Sequence, residues 1–298
     1  MMKLKIKKRV KKEAIRLRNV SKYYTMGGSL VKALNHLELK VFEGEYIAIM
    51  GPSGSGKSTA MNLVGSLDMP THGVIYLDNK DISEFSESNL AQVRGKKIGF
   101  IFQSFNLINN LTVKENVMLP MMFQGTSIEE RSDRAEELLK LVELHDRMDH
   151  YPGEISGGQM QRVAIARSLA NDPEVILADE PTGNLDTKTG AIVMEFLQKL
   201  NKEGKTVIMV THDPDLAKKY ADVIYWLLDG ELDKVTKKCG KNKFIDVTKK
   251  KKEEARNSVP SKKGAKVPAS SVAHRGVPSK KGAKVPASSG KAKSNGVK

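Results

Sequence analysis

The 298-residue chain contains a single cysteine, Cys239, so it cannot form an internal disulfide or a cysteine-rich zinc module. Tryptophan occurs once and aromatic residues make up only 5%, against 29% charged residues, the balance of an ordinary soluble protein. Long apolar runs are also missing. The longest uncharged window, residues 98–113, includes Gln103, Ser104 and three asparagines. It falls short of the roughly 20 apolar residues that a membrane-spanning helix needs. The first twelve residues are basic, but no apolar segment follows them, so no secretory signal is expected. These absences predict a chain that stays in the cytosol and does not cross a bilayer by itself.

Positive charge is abundant, with 50 Lys and Arg against 35 Asp and Glu and a net of +15. Its distribution matters more than its size. Residues 237–298 hold 19 basic and 3 acidic residues, and residues 1–12 hold 7 basic and none acidic. The remainder, residues 13–236, holds 24 basic and 32 acidic residues, so the middle of the chain is mildly acidic. Residues 259–271 read VPSKKGAKVPASS, and residues 277–289 repeat those thirteen residues unchanged. From Lys249 onward there is no aromatic residue to bury. Such a stretch cannot offset its ordering entropy, so a disordered, lysine-rich tail is expected over residues 236–298. Residues 1–13 form a basic extension at the other end.

Between the extensions, apolar runs predict strands over residues 14–20, 37–41 and 46–50, then a helix over 57–66. Further strands are expected over 74–77 and 98–102. A helical region follows from 112 to 170, in which Ser127 and Glu130 have capping-box spacing. There Ala135, Leu138, Leu139 and Val142 mark one buried face. Strands over 175–177, 206–210 and 223–228 then flank a helix over 188–203. This alternation predicts an α/β core with a largely parallel sheet.

Gly51, Pro52, Ser53, Gly54, Ser55, Gly56, Lys57 and Ser58 match G-x-x-x-x-G-K-[ST], between a predicted strand and a predicted helix. Thr59 follows. The glycines let successive N–H groups point inward as an anion nest at a helix N-terminus. Lys57 can reach the β- and γ-phosphates of a nucleotide, and the Ser58 hydroxyl can face Mg²⁺. Residues 175–179 read as an apolar strand closed by Asp179, and Glu180 follows as a second carboxylate. Ligands bind at the C-terminal ends of such strands. Asp179 can hold Mg²⁺ there, directly or through water, and Glu180 can accept a proton from an attacking water. His212 closes another apolar strand at the same edge, where a polar group could touch the γ-phosphate.

Ile155-Ser-Gly-Gly-Gln159, followed by Met-Gln-Arg162, has two readings. It is either a capped helix after a turn or a second anion-binding helix start. Alongside the phosphate loop, it makes the chain resemble an ATP-binding cassette (ABC) ATPase over about residues 14–235. The resemblance implies a phosphate-loop NTPase core, an N-terminal antiparallel β part and a helical subdomain over about 104–171. That subdomain carries the signature loop Ser156, Gly157, Gly158 and Gln159. It further implies that Tyr24 stacks on adenine and that Gln103 contacts Mg²⁺ or water. In Gly183-Asn-Leu-Asp186, Asp186 would reach between two nucleotide sites, and His212 would be the switch histidine.

The family pattern is a head-to-tail homodimer that sandwiches two ATP molecules, closing on ATP and opening after hydrolysis. Catalysis would then rest on Glu180, His212, Gln103 and Lys57, with ATP and Mg²⁺ as cofactors. Without a membrane helix, the chain would be the ATPase half of a transporter. It would sit peripherally on the inner face of the cell membrane and act on a separate integral membrane permease. Residues 97–107, with 115–120, are similar to the lipoprotein-releasing and macrolide-exporting group. Cell-division and peptide-antibiotic-resistance cassettes share much of that pattern. A soluble ABC ATPase acting on nucleic acid is the rival that the basic ends suggest. However, the chain has one cassette and no long heptad run, which makes nucleic acid the disfavoured partner. The basic tails are expected to touch anionic lipid.

Overall fold

The computed structural model describes residues 12–240 and 243–248. The repeat and most of the lysine-rich tail lie outside these residues, as do residues 1–11. The chain begins with two long antiparallel strands, β1 (Glu13–Met26) and β2 (Ser29–Phe42). Next come β3 (Tyr46–Met50) and α1 (Lys57–Val64), then β4 (His72–Leu77) and the two-residue β5 (Lys80–Asp81). Helix α2 (Glu87–Lys97) leads into β6 (Ile98–Ile101). Helices α3 (Val113–Met122), α4 (Ile128–Leu141) and α5 (Gly157–Ser168) follow. The last part alternates β7 (Val175–Asp179), α6 (Thr187–Lys202), β8 (Thr206–Thr211), α7 (Pro214–Tyr220) and β9 (Val223–Leu228). It closes with β10 (Glu231–Gly240) and β11 (Lys243–Asp246).

Two sheets result. One is antiparallel, in the order β2-β1-β4-β5. The other runs β11-β10-β9-β3-β8-β7-β6, parallel from β9 to β6. Strand β3 is buried on both faces, which explains its unbroken apolar run. Its side chains alternate between two cores, as the period of two requires. Tyr46, Ala48 and Met50 pack with residues of α3, α4, α5 and α6. Ile47 and Ile49 pack with α1 and the antiparallel sheet.

Within the helical region, Asn116 is fully buried and ties down the loop ahead of α3. Its Oδ1 accepts from Ile108 N at 2.8 Å, and its Nδ2 donates to the carbonyls of Ile108, Leu111 and Thr112. That loop links Gln103 to the helices, so a buried amide sets the path of a functional segment.

One expected boundary moves. The folded part was expected to end at residue 235, but β10 runs through that point and pairs with β9. Beyond it, β11 pairs back onto β10, and Phe244 packs against the core. Trp226 Nε1 donates to Thr236 Oγ1 at 3.1 Å, and Val247 N donates to the Val235 carbonyl at 2.9 Å. Lys237 and Lys238 gave the segment a tail-like composition, although a strand tolerates charge where it faces water. At the other end Glu13 opens β1, so the basic extension stops one residue earlier than expected.

Candidate nucleotide site

Parallel strands running the same way bring their C-terminal ends to one edge, and the motif residues follow those ends. Strand β3 delivers the phosphate loop, β6 delivers Gln103, β7 delivers Asp179 and Glu180, and β8 delivers His212. A cleft of about 390 Å³ is lined by Ser53, Gly54, Gly56, Lys57, Ser58, Thr59, Gln103, Asp179 and Glu180. Val31, Lys32 and Ala33 of β2 complete one wall. A separate apolar groove of about 330 Å³, lined in part by Leu67, Phe100, Pro120 and Arg167, contains none of the candidate catalytic, nucleotide-binding or metal-binding residues.

Helix α1 starts at Gly56, whose φ of 93° lies in the left-handed region. A Cβ there would stand 2.5 Å from the Ala33 carbonyl oxygen, so the position needs glycine on both counts. No side chain caps this helix, and its first turn carries no acidic residue, so its N–H groups are open to an anion. Lys57 Nζ lies in the loop, donating to the carbonyls of Gly51 at 2.9 Å and Pro52 at 2.8 Å. The Ser55 hydroxyl is buried without a protein partner.

Asp179 is half-buried. Burial, then the neighbouring Glu180 carboxylate, raises its pKa, while Lys57 opposes the shift. A carboxylate in that position favours an arriving cation. Glu180 has a φ of 41°, uncommon for a side chain of its size. Its Oε1 pairs with His212 Nδ1 at 2.8 Å, leaving Oε2 to act on a ligand. Gln103 packs against Gly183, and Asn184 Nδ2 donates to the Gln103 carbonyl at 2.9 Å. Arg167 of α5 fixes the loop that follows, donating to the carbonyls of Phe105 and Asn106, both left-handed. Burial without a carboxylate partner lowers the Arg167 pKa.

Tyr24 pairs in register with Val31, so the two side chains share a face of the β1–β2 ribbon beside the cleft. The Tyr24 hydroxyl donates to Asp68 Oδ2 at 2.9 Å and also meets Thr59. Lys22 Nζ stands 5.0 Å from its ring centroid and 2.6 Å from Asp68 Oδ1. Asp68, Lys22, Val31 and Ala33 were not anticipated. Pairing of β1 with β2 brings Val31 and Ala33 there, the segment after α1 brings Asp68, and Lys22 lies two residues from Tyr24 on β1, with no local motif to mark them.

The signature residues lie elsewhere. Ser156, Gly157, Gly158 and Gln159 are not among the residues that line the cleft. Ser156 caps α5, accepting from Gln159 N at 3.3 Å, while Gln159 Oε1 accepts from Ser156 N at 2.8 Å. The capped-helix reading and the helix-start reading therefore describe the same residues. Asp186 caps α6 through the N–H groups of Lys188 and Thr189 and holds Thr189 Oγ1 at 2.6 Å. The Thr189 bonds pull its pKa down.

Comparison with known proteins agrees with this geometry. The family model described as ABC transporter matches residues 34–183. An ABC transporter ATP-binding protein of Methanocaldococcus jannaschii, MJ0796, is 52% identical over 231 residues, covering 76% of this chain and 98% of that one. A macrolide export ATP-binding/permease protein, MacB, of Wolinella succinogenes is 45% identical over 75% of this chain, which spans only 34% of MacB. The dimeric post-hydrolysis structure of MJ0796 bound to ADP and Pi superposes with a TM-score of 0.71 at 49% identity, covering 76% of this chain and 99% of that one. A match over half the chain, together with a relative aligned almost end to end, makes this chain a member of the ABC transporter family, an ATP-binding subunit that hydrolyses ATP.

Proposed function

We propose that two copies of this chain assemble head to tail around two ATP molecules, and that closure and opening of the dimer drive a separate membrane permease. The observation that carries this reading is the split between the cleft and the signature. One chain brings Lys57, Gln103, Asp179 and Glu180 to a single cleft and leaves Ser156–Gln159 outside it. A second copy in antiparallel arrangement would supply the missing helix start, and a two-fold dimer closes both sites at once.

In that arrangement Tyr24 stacks on the base, and the open N-terminus of α1 holds the phosphates. Lys57 must leave the carbonyls of Gly51 and Pro52 to reach the β- and γ-phosphates, a short side-chain movement. Ser58, Gln103 and Asp179 present a hydroxyl, an amide oxygen and a carboxylate to one volume. Such a hard-oxygen set, with few carboxylates, suits Mg²⁺, which keeps waters and takes substrate phosphates. When bound, the ion neutralises charge on the transferring phosphoryl group.

Glu180 Oε2 accepts a proton from the water whose oxygen bonds to the γ-phosphorus as the bond to the bridging oxygen of ADP breaks. His212 holds Glu180 Oε1 and offers its ring to the γ-phosphate. Asp186, exposed at the start of α6, is read as facing the second site.

The substrate class follows the lipoprotein-releasing and macrolide-exporting group, with export or extraction through the permease at the inner face of the cell membrane. No helix among the described residues is long and apolar enough to cross a membrane. The basic stretches at residues 1–12 and 237–298 are read as contacts to anionic lipid. The deciding experiment is Glu180→Gln in sizing chromatography with ATP and Mg²⁺. A stable dimer with turnover reduced by about three orders of magnitude is expected from loss of the base and its charge. A variant that remains monomeric under those conditions would sink the dimer reading.

A further inference from the structure

The second turn of α5 carries Gln161, to which the site as described gives no task. Its side chain is only 1% exposed, and Nε2 donates to the Pro181 carbonyl at 2.9 Å. A carbonyl only accepts, so the NH₂ end of the amide must face it. Oε1 is buried with no protein partner. An apolar side chain of similar volume would avoid that desolvation, so packing does not account for an amide here.

Pro181 follows Glu180 directly. Glu180 sits at a φ of 41°, a conformation that persists only where surrounding bonds hold it. Three bonds converge on this turn. Glu180 N donates to the Val210 carbonyl at 2.9 Å, and Gly183 N donates to the Glu180 carbonyl at 2.9 Å. The third comes from Gln161, and among the described residues it is the hydrogen bond that ties the turn to the signature helix. A parallel link runs from Gly158, packed on Thr189, to Asp186 at the end of the same loop.

We propose that Gln161 is a positioning residue for Glu180, through which the helix opened by Ser156 sets the carboxylate of its own chain. This rests on the reading of Glu180 as the base. Engagement of a signature with one nucleotide would then be felt at the Glu180 that acts on the other.

The test is Gln161→Met, which keeps length and volume but removes the donor. With ATP and Mg²⁺, kcat is expected to fall about tenfold, the effect of losing one buried hydrogen bond. KM is expected to stay within about twofold, because no cleft-lining residue changes. Rates are referred to the fraction of protein that binds nucleotide, so partial misfolding does not mimic the effect. In the Glu180→Gln background, Gln161→Met should change residual turnover no further, since it acts through the group already removed. Wild-type kcat in Gln161→Met would overturn the proposal. So would KM rising in step, or the same tenfold loss on top of Glu180→Gln. Undiminished turnover by Glu180→Gln would remove the base and the proposal together. An inactive Glu180→Gln beside a wild-type-like Gln161→Met would remove the proposal alone.

Discussion

Two helix N-termini of this chain invite comparison, because the ATPase reading gives both an anion. Helix α1 begins at left-handed Gly56 with no side-chain cap. Helix α5 begins at Ser156, whose hydroxyl and backbone N–H are both engaged by Gln159. The difference is one of readiness. The uncapped end offers its N–H groups with an ammonium alongside, so it can hold phosphate within a single chain. The capped end has satisfied part of its own demand and keeps chiefly the N–H groups of Gly157 and Gly158 for a ligand. It therefore suits completing a site more than founding one.

The largest effect should come from removing the ammonium at the uncapped end. Lys57→Ala is expected to weaken ATP binding by the isolated chain at least a hundredfold, about 3 kcal/mol, as for a lost charge-assisted bond. Titration calorimetry checks this, and near-native affinity would show that the loop backbone suffices.

The capped end should break differently. A Cβ on Gly158 would stand 2.4 Å from Thr189 Cγ2, and Thr189 cannot turn away because its hydroxyl is held by Asp186. Gly158→Ala should leave single-chain ATP binding unchanged while weakening ATP-dependent dimerisation about tenfold or more, by shifting the start of α5. Adding Thr189→Ser keeps the hydroxyl and removes the clashing methyl, so sedimentation should show the dimer restored. A double variant as impaired as the single one would place the fault elsewhere.

The smallest effect is expected from an ion network that touches neither end. Hydrogen bonds from Lys12, then Lys97, hold Asp78 at a pKa of about 2. A carboxylate depressed by folding contributes stability above its unfolded pKa and loses it as pH falls through the folded value. Asp78→Asn should thus cost about 1 kcal/mol at neutral pH once solvent screening is counted, with the gap to the parent closing between about pH 4 and pH 2. Thermal melts against pH test this, while nucleotide affinity should not move.

Much of the fold was readable where one local signal sufficed. Strand β9 spans the expected residues, and the capping box at Ser127 forms with Glu130. Helix α2 escaped because it buries only Leu90 and shows no apolar period. Strand β10 escaped because its lysines resemble the tail that follows. At the site, the phosphate loop, Asp179, Glu180 and His212 were legible because each closes an apolar strand in a parallel sheet. Asp68 was not, since it reaches Tyr24 and Lys22 only through the fold of β1 against the segment after α1.

The sequence by itself determined the chemistry: a phosphate loop, paired carboxylates and a signature are short-range patterns of residue type, and each needs only its own neighbours. Tertiary structure decided which of them meet. It brought four strand ends to one cleft and left the signature outside. It set Glu180 in a left-handed turn held by Val210, Gly183 and Gln161, residues 3 to 30 positions away. Such contacts depend on register and on buried polar pairing across elements, which no local pattern encodes.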